Sequence, residues 1–136
     1  MAGLRGKRLT FGWAAMAFLL FAPAKLQAAE PDVLLQGLDK VTARVSRIGA
    51  QIGQSVRFGT LEIVVRACHK RPPEEPPEST AFLEITEQTP GQPAAKLFTG
   101  WMFASSPALN PLEHPVYDVW LIDCKATAPG IDGARQ

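Results

Sequence analysis

Cys68 and Cys124 are the only two cysteines in a chain of 136 residues, and each ends a run of alternating character. The first run is Leu61–Cys68 (LEIVVRAC). The second closes the stretch Gly100–Cys124 (GWMFASSPALNPLEHPVYDVWLIDC), which also holds two of the three tryptophans and the only tyrosine. Alternation with a period of two puts successive side chains on opposite faces of an extended strand. Both runs therefore read as β-strands, and a bond between their last residues would pin the middle of the chain to its far end. The chain-entropy model values closure of the loop from 68 to 124 at about 4 kcal/mol, a large share of the ~5–15 kcal/mol that holds a small domain together. The alternative is a pair of separate free thiols.

The compartment decides between them. Residues 1–28 have the layout of a secretory signal peptide, with Arg5, Lys7 and Arg8 ahead of an apolar run from Phe11 to Ala22. The small-residue sites Ala22-Pro23-Ala24 and Leu26-Gln27-Ala28 follow it. The twelve apolar residues fall short of the roughly 20 that span hydrocarbon, and Pro23 and Lys25 follow at once. Export with cleavage is expected rather than a retained anchor, with no transmembrane segment afterwards. An even cysteine count in an oxidising compartment favours the disulfide. Cleavage removes Arg5, Lys7, Arg8 and Lys25 but no acidic residue, so the exported part is net negative by three. That disfavours a nucleic-acid partner, which demands a concentrated basic face; Arg44, Arg47 and Arg57 read as a solvated surface.

The expected organisation is a signal peptide over 1–28, a short leader over 29–39, a β-domain over 40–125 and a flexible tail over 126–136. The leader has room for one or two helical turns. Leu34, Leu38, Val41, Val45 and Ile48 fit a helical stripe, yet the β-branched residues from Lys40 onward favour a strand ending before Gly49. Further strands are expected at Gln54–Phe58, Leu61–His69, Ala81–Glu87, Leu97–Phe103 and Val116–Cys124. In the third of these six strands Leu61, Ile63, Val65 and Ala67 share one face, and Glu62, Val64, Arg66 and Cys68 the other. Gly100, in mid-strand, suggests a bulge or a close approach. Lys70–Ser79 (KRPPEEPPES) is too rich in proline for helix or central strand and reads as a stiff exposed loop, either a solvated connector or a contact loop. Short strands with turn signals between them and no strand–helix alternation indicate an all-β fold. A small antiparallel β-sandwich or barrel is expected, with one proline-rich loop and a single disulfide.

Catalytic patterns are wanting. Cys68, His69, His114, Asp123 and Cys124 are the only set that might suggest zinc, but Cys68-His69 and Asp123-Cys124 are adjacent pairs that do not easily point inward together. A Cys–His nucleophile needs a free thiolate, which a disulfide abolishes. Ser105 and Ser106 lack a nucleophile elbow, and Glu74 and Glu75 lie in the proline loop where nothing would shift their pKa usefully. No metal or other cofactor is expected. The candidate binding surface is aromatic: Trp101, Met102, Phe103, Tyr117 and Trp120. If Trp101 and Phe103 pack inward, Met102 faces out; if Trp120 and Ile122 pack inward, Tyr117, Val119 and Leu121 face out. Both faces of the last strand are too apolar for a lone exposed edge, so it is either covered on both sides or presents a partner surface.

The runs LDKVTARVSRIG, VRFGTLEIVVRACHKRPPEEPPESTAFLEI and FTGWMFASSPALNPLEHPVYDVWLIDCK resemble the signature blocks of domain-of-unknown-function family 2155, small exported proteins mainly of alphaproteobacteria. The resemblance covers about Leu35 to Lys125. It implies a Gram-negative envelope location, hence the periplasm, and paired cysteines at Cys68 and Cys124. It implies no activity, cofactor or active residue. The expected function is a non-enzymatic periplasmic binding or accessory module whose partner is another envelope protein or a cell-wall component. The rival readings are a cell-wall or carbohydrate binder, with Trp101 or Trp120 stacking on sugar rings, and a thiol- or zinc-dependent envelope enzyme.

Overall fold

Residues 29–126 are those described by the computed structural model, with Gly3, Gly6, Pro23 and Ala24 as isolated positions. All but those four residues of the expected signal peptide, and nearly all of the expected tail, lie outside the described residues. Within them the chain forms seven strands: β1 (Val33–Asp39), β2 (Arg44–Ala50), β3 (Ser55–Phe58), β4 (Leu61–Lys70), β5 (Ser79–Glu87), β6 (Ala95–Phe103) and β7 (Tyr117–Cys124). They make two antiparallel sheets, one of three strands in the order β2-β1-β7 and one of four in the order β3-β4-β5-β6. Neither sheet closes on itself, so of the two expected architectures the molecule is the sandwich. Among the described residues no helix is long and apolar enough to cross a membrane.

The expected leader is corrected by β1, which is the central strand of the three-stranded sheet. Val33 and Leu35 are buried while Leu34, Gln36 and Leu38 look outward, half-buried, so the period is two despite the helical spacing of Leu34 and Leu38. The strand expected from Lys40 also starts later. The Asp39 carboxylate accepts bonds from the backbone N–H of Val41 (2.9 Å) and Thr42 (3.2 Å), and Ala43 adopts a positive φ of 55°. This Asx-type turn breaks the run and leaves Val41 77% exposed.

Two bulges decide where the cysteines point. Along β4, Val65 pairs with Leu83 and Ala67 with Phe82, so Arg66 is an extra residue. The phase of the strand flips there: Leu61, Ile63 and Val65 point inward, and then Cys68 does, opposite the buried Ala81. Ala67, expected on the inner face, is on the outer one. Along β7, Leu121 pairs with Leu35 and Asp123 with Leu34, leaving Ile122 extra, so that Val119, Leu121 and Cys124 all point inward. Each sulfur thus reaches the gap between the sheets, and Cys68 and Cys124 are joined with their Cα atoms 5.7 Å apart. The disulfide crosslinks the two sheets at one end of the sandwich.

The connection from Ala104 to Val116 leaves the disulfide end, where Ala104 N–H donates to the Ser79 carbonyl, carries a 3-10 turn at Pro107–Leu109, buries Leu112 and closes the opposite end at His114. His114 anchors it. Its Nδ1 accepts the backbone N–H of Val116 (3.0 Å) and Tyr117 (3.1 Å), so Nε2 carries the hydrogen and donates to Glu87 at 3.1 Å. Its ring stacks on Tyr117, which meets Phe58 edge to face at 5.4 Å. Gly59 turns beneath Tyr117 at φ 57°, and Phe58 fills the hollow above Gly37.

Candidate functional site

The five expected surface residues do not gather at one place. Met102 is in the core, 4% exposed, because it pairs with the buried Ala81 in phase with Phe98 opposite Ile85; Phe98 and Met102 point inward and Trp101 outward. Tyr117 is half-buried at the His114 end of the sandwich. Trp120 lies on the outer face of the three-stranded sheet, half-buried, opposite Gln36, with Leu34, Leu38 and the 51%-exposed Val45 on that face. β7 is an edge strand of that sheet. Only Trp101 and Phe103 share a surface.

That surface is the outer face of the four-stranded sheet. Antiparallel register sets Ala67, Phe82 and Trp101 in one row across β4, β5 and β6, and His69, Thr80 and Phe103 in the next. Trp101 is 41% exposed. Phe82 meets it edge to face at 5.3 Å and His69 lies roughly parallel to it at 6.5 Å, both within the range of favourable ring pairs. On the row beyond, Glu84 is opposite Thr99, and Arg66, the bulge residue, donates to Glu84 Oε2 from Nε (3.3 Å) and Nη2 (3.1 Å). At the strand edge, Asn110 Nδ2 donates to the Trp101 carbonyl (3.0 Å) and occupies the space a side chain at Gly100 would need. What approaches Gly100 is this side-chain amide, and not the second backbone that a mid-strand glycine suggests. His69, Phe82, Arg66 and Glu84 were not expected at a site, although Phe82 is the outward residue of AFLEITE once Ala81, Leu83 and Ile85 are taken as core.

A concave site lies at the disulfide end. The proline-rich loop, held at its base by Arg71 N–H donating to the Glu78 carbonyl (2.9 Å), leans toward the end of β7. It encloses a cleft of about 390 Å³ walled by Pro72, Pro73, Pro77, Ala104 and Ile122, with Lys70, Arg71, Glu75 and Asp123 among its polar lining. Ser79, buried at its floor, donates to Asp123 (3.1 Å) and accepts from the Cys124 N–H (3.3 Å). Burial pushes the Asp123 carboxyl up, but the bonds from Lys70 and Ser79, the Lys70 charge and the Cys124 N–H outweigh it and hold the group below its ordinary value. Glu78 is held low by the Ser105 hydroxyl first and then by the backbone N–H groups of Ser105 (3.1 Å) and Ser79 (3.0 Å).

The residues weighed for chemistry are dispersed. Cys68 and Cys124 are bonded to each other, His69 is on the outer aromatic face, His114 is at the far end of the sandwich and Asp123 is paired with Lys70 at 3.0 Å. Among the described residues no group of three or more His, Cys, Asp or Glu side chains converges as metal ligands would. Ser105 is engaged with Glu78 and has no imidazole near it.

The family described as "Uncharacterized protein conserved in bacteria (DUF2155)" matches residues 33–124, from the first residue of β1 to the last of β7. The chain belongs to this family. A DUF2155 domain is therefore the whole two-sheet unit, with β1 included. Similarity extends to "Uncharacterized protein RP359" of Rickettsia prowazekii (strain Madrid E), 33% identical over 87 residues. Those residues are 64% of this chain and 56% of the Rickettsia protein, so the chain spans little more than half the length of that relative. No solved structure matches.

Proposed function

We propose that this DUF2155 domain is a non-enzymatic binding or accessory module of the bacterial envelope, acting in the periplasm through the outer face of its four-stranded sheet. The observation that carries the reading is Trp101, a large aromatic left 41% exposed on a sheet and braced by Phe82 and His69. A rigid, pre-positioned indole loses little conformational entropy on contact, which is why such residues dominate binding energy where they occur. Export is supported by the layout of residues 1–28 and by the disulfide, a bond that persists in oxidising compartments. The polar groups near both cysteines are bonded to one another in pairs, an arrangement suited to holding a shape.

The test is a photo-crosslinker at Thr99, beside Trp101, compared with one at Arg47 on the opposite sheet, in cells exporting the protein. A discrete adduct from Thr99 that vanishes in Trp101→Ala, with none from Arg47, is expected. No adduct from Thr99, or the same adducts from both positions, would remove this face as the contact.

A further inference from the structure

We infer that the Trp101 face binds a neutral glycan chain, of the flat β-1,4-linked N-acetylhexosamine type found in cell walls. This rests on the reading of the domain as an exported binding module and names the ligand of that same face.

Three observations point to a sugar. The exposed ring is flat and lies on an open sheet rather than at the bottom of a pocket, with Phe82 supporting its edge. A pyranose offers a ring a flat patch of C–H bonds and needs no enclosing walls. Polar residues of several kinds occupy neighbouring positions on the same face: Thr99 and Thr80, His69, and the Arg66–Glu84 pair. Both Arg66 bonds go to Glu84 Oε2, so Oε1 keeps lone pairs for a ligand hydroxyl. A carboxylate and a guanidinium held side by side supply an acceptor and donors to neighbouring hydroxyls, and their formal charges cancel. Charge complementarity thus selects an uncharged ligand over a polyanion such as nucleic acid or an anionic lipid surface. The third observation concerns protein partners. An extended peptide would bind this edge by adding a strand to β6, but Asn110 already caps the Trp101 carbonyl there.

The experiment titrates the isotopically labelled exported protein with the N-acetylglucosamine tetramer and sediments it with purified cell-wall sacculi. The expected result is saturable shifts of the Trp101 indole N–H and the Thr99 amide with the Trp120 indole unmoved, and co-sedimentation with sacculi. Trp101→Ala should weaken both by about tenfold or more, and Trp101→Phe should retain most of the affinity. Unchanged thermal unfolding of both variants establishes that the fold is intact. Shifts centred on Trp120 or on the proline-walled cleft would overturn the assignment, as would no shift together with no sedimentation. If the Thr99 crosslinker traps a protein while sugar and sacculi give nothing, the glycan falls and the binding-module reading stands. If both fail, both fall.

Discussion

Single side chains in this domain hold backbone turns more than they hold each other. His114 is the clearest case, since its Nδ1 satisfies two backbone N–H groups at the start of β7. His114→Ala would leave both without that partner and is expected to cost about 1–3 kcal/mol, read as a lower midpoint in urea. Gly59→Ala should cost a similar ~1–3 kcal/mol, because φ is positive there and the new methyl would run into the Tyr117 ring. Glu78 and Asp123 contribute to acid stability, since their carboxyls lie below their ordinary values of 4.5 and 3.8, as does that of Asp39, held low first by the Thr42 N–H. A group lowered on folding adds stability that is complete above the ordinary value and lost as pH falls toward the lowered one. The urea midpoint should therefore be flat from neutral pH down to the ordinary carboxylate range and drop below it. The double variant Glu78→Gln, Asp123→Asn should start lower at neutral pH and drop less. An equal drop in both proteins would show that these two groups are not the cause.

At the level of strands, periodicity located most of the structure. LEIVVRAC, AFLEITE and VYDVWLIDC each fall on a strand within a residue or two of its ends, because short β-branched runs bounded by glycine and proline leave the backbone little choice. β1 was hidden by its own composition: Leu34 and Leu38 face solvent on the outer side, and the two leucines at helical spacing mask the alternation of Val33 and Leu35. Only the pairing with β2 on one side and β7 on the other makes the segment a strand, and that pairing is long-range. The bulges were equally invisible, since nothing local marks Arg66 or Ile122 as supernumerary. They govern both the disulfide and the site. Deleting Arg66 should remove the bulge and keep the disulfide, because Val65, Ala67 and Cys68 then alternate simply with Cys68 still inward, and the variant should show no thiol that reacts with a maleimide under native conditions. Two reactive thiols in that variant would mean that Arg66 is not a supernumerary residue and that its loss shifts the register of Cys68. For the candidate site, the aromatic character of GWMF was legible but its orientation was not: alternation sets Trp101 and Phe103 opposite Met102, and only the pairing of Met102 with the buried Ala81 decides which side is the core.

For the molecule as a whole, the crosslink joins β4 of one sheet to β7 of the other across a separation of 56 residues. Cys68→Ala with Cys124→Ala is expected to lower stability by about 4 kcal/mol and to raise the urea slope, because the unfolded chain without its crosslink is less compact, read by equilibrium unfolding. A much smaller loss would mean that sheet packing alone sets the end of the sandwich. The same measurement on wild-type protein, with and without reductant, separates the bond from the side-chain change. The sandwich class followed from strand count and spacing. Sandwich against barrel did not, because closure depends on whether β7 pairs across to the four-stranded sheet or with β1, and both edges are chemically similar in sequence.

That β7 chooses β1 has a temporal consequence. The first strand of the domain is clasped by its second and its last, from Val33 opposite Cys124 to Asp39 opposite Tyr117. A polypeptide emerging N-terminus first must hold β1 without that neighbour until the final segment arrives. A chain that lacks its last strand can complete neither the three-stranded sheet nor the crosslink. Closure of the fold thereby waits for its C-terminal strand, whose docking also brings the thiol at 68 to its mate.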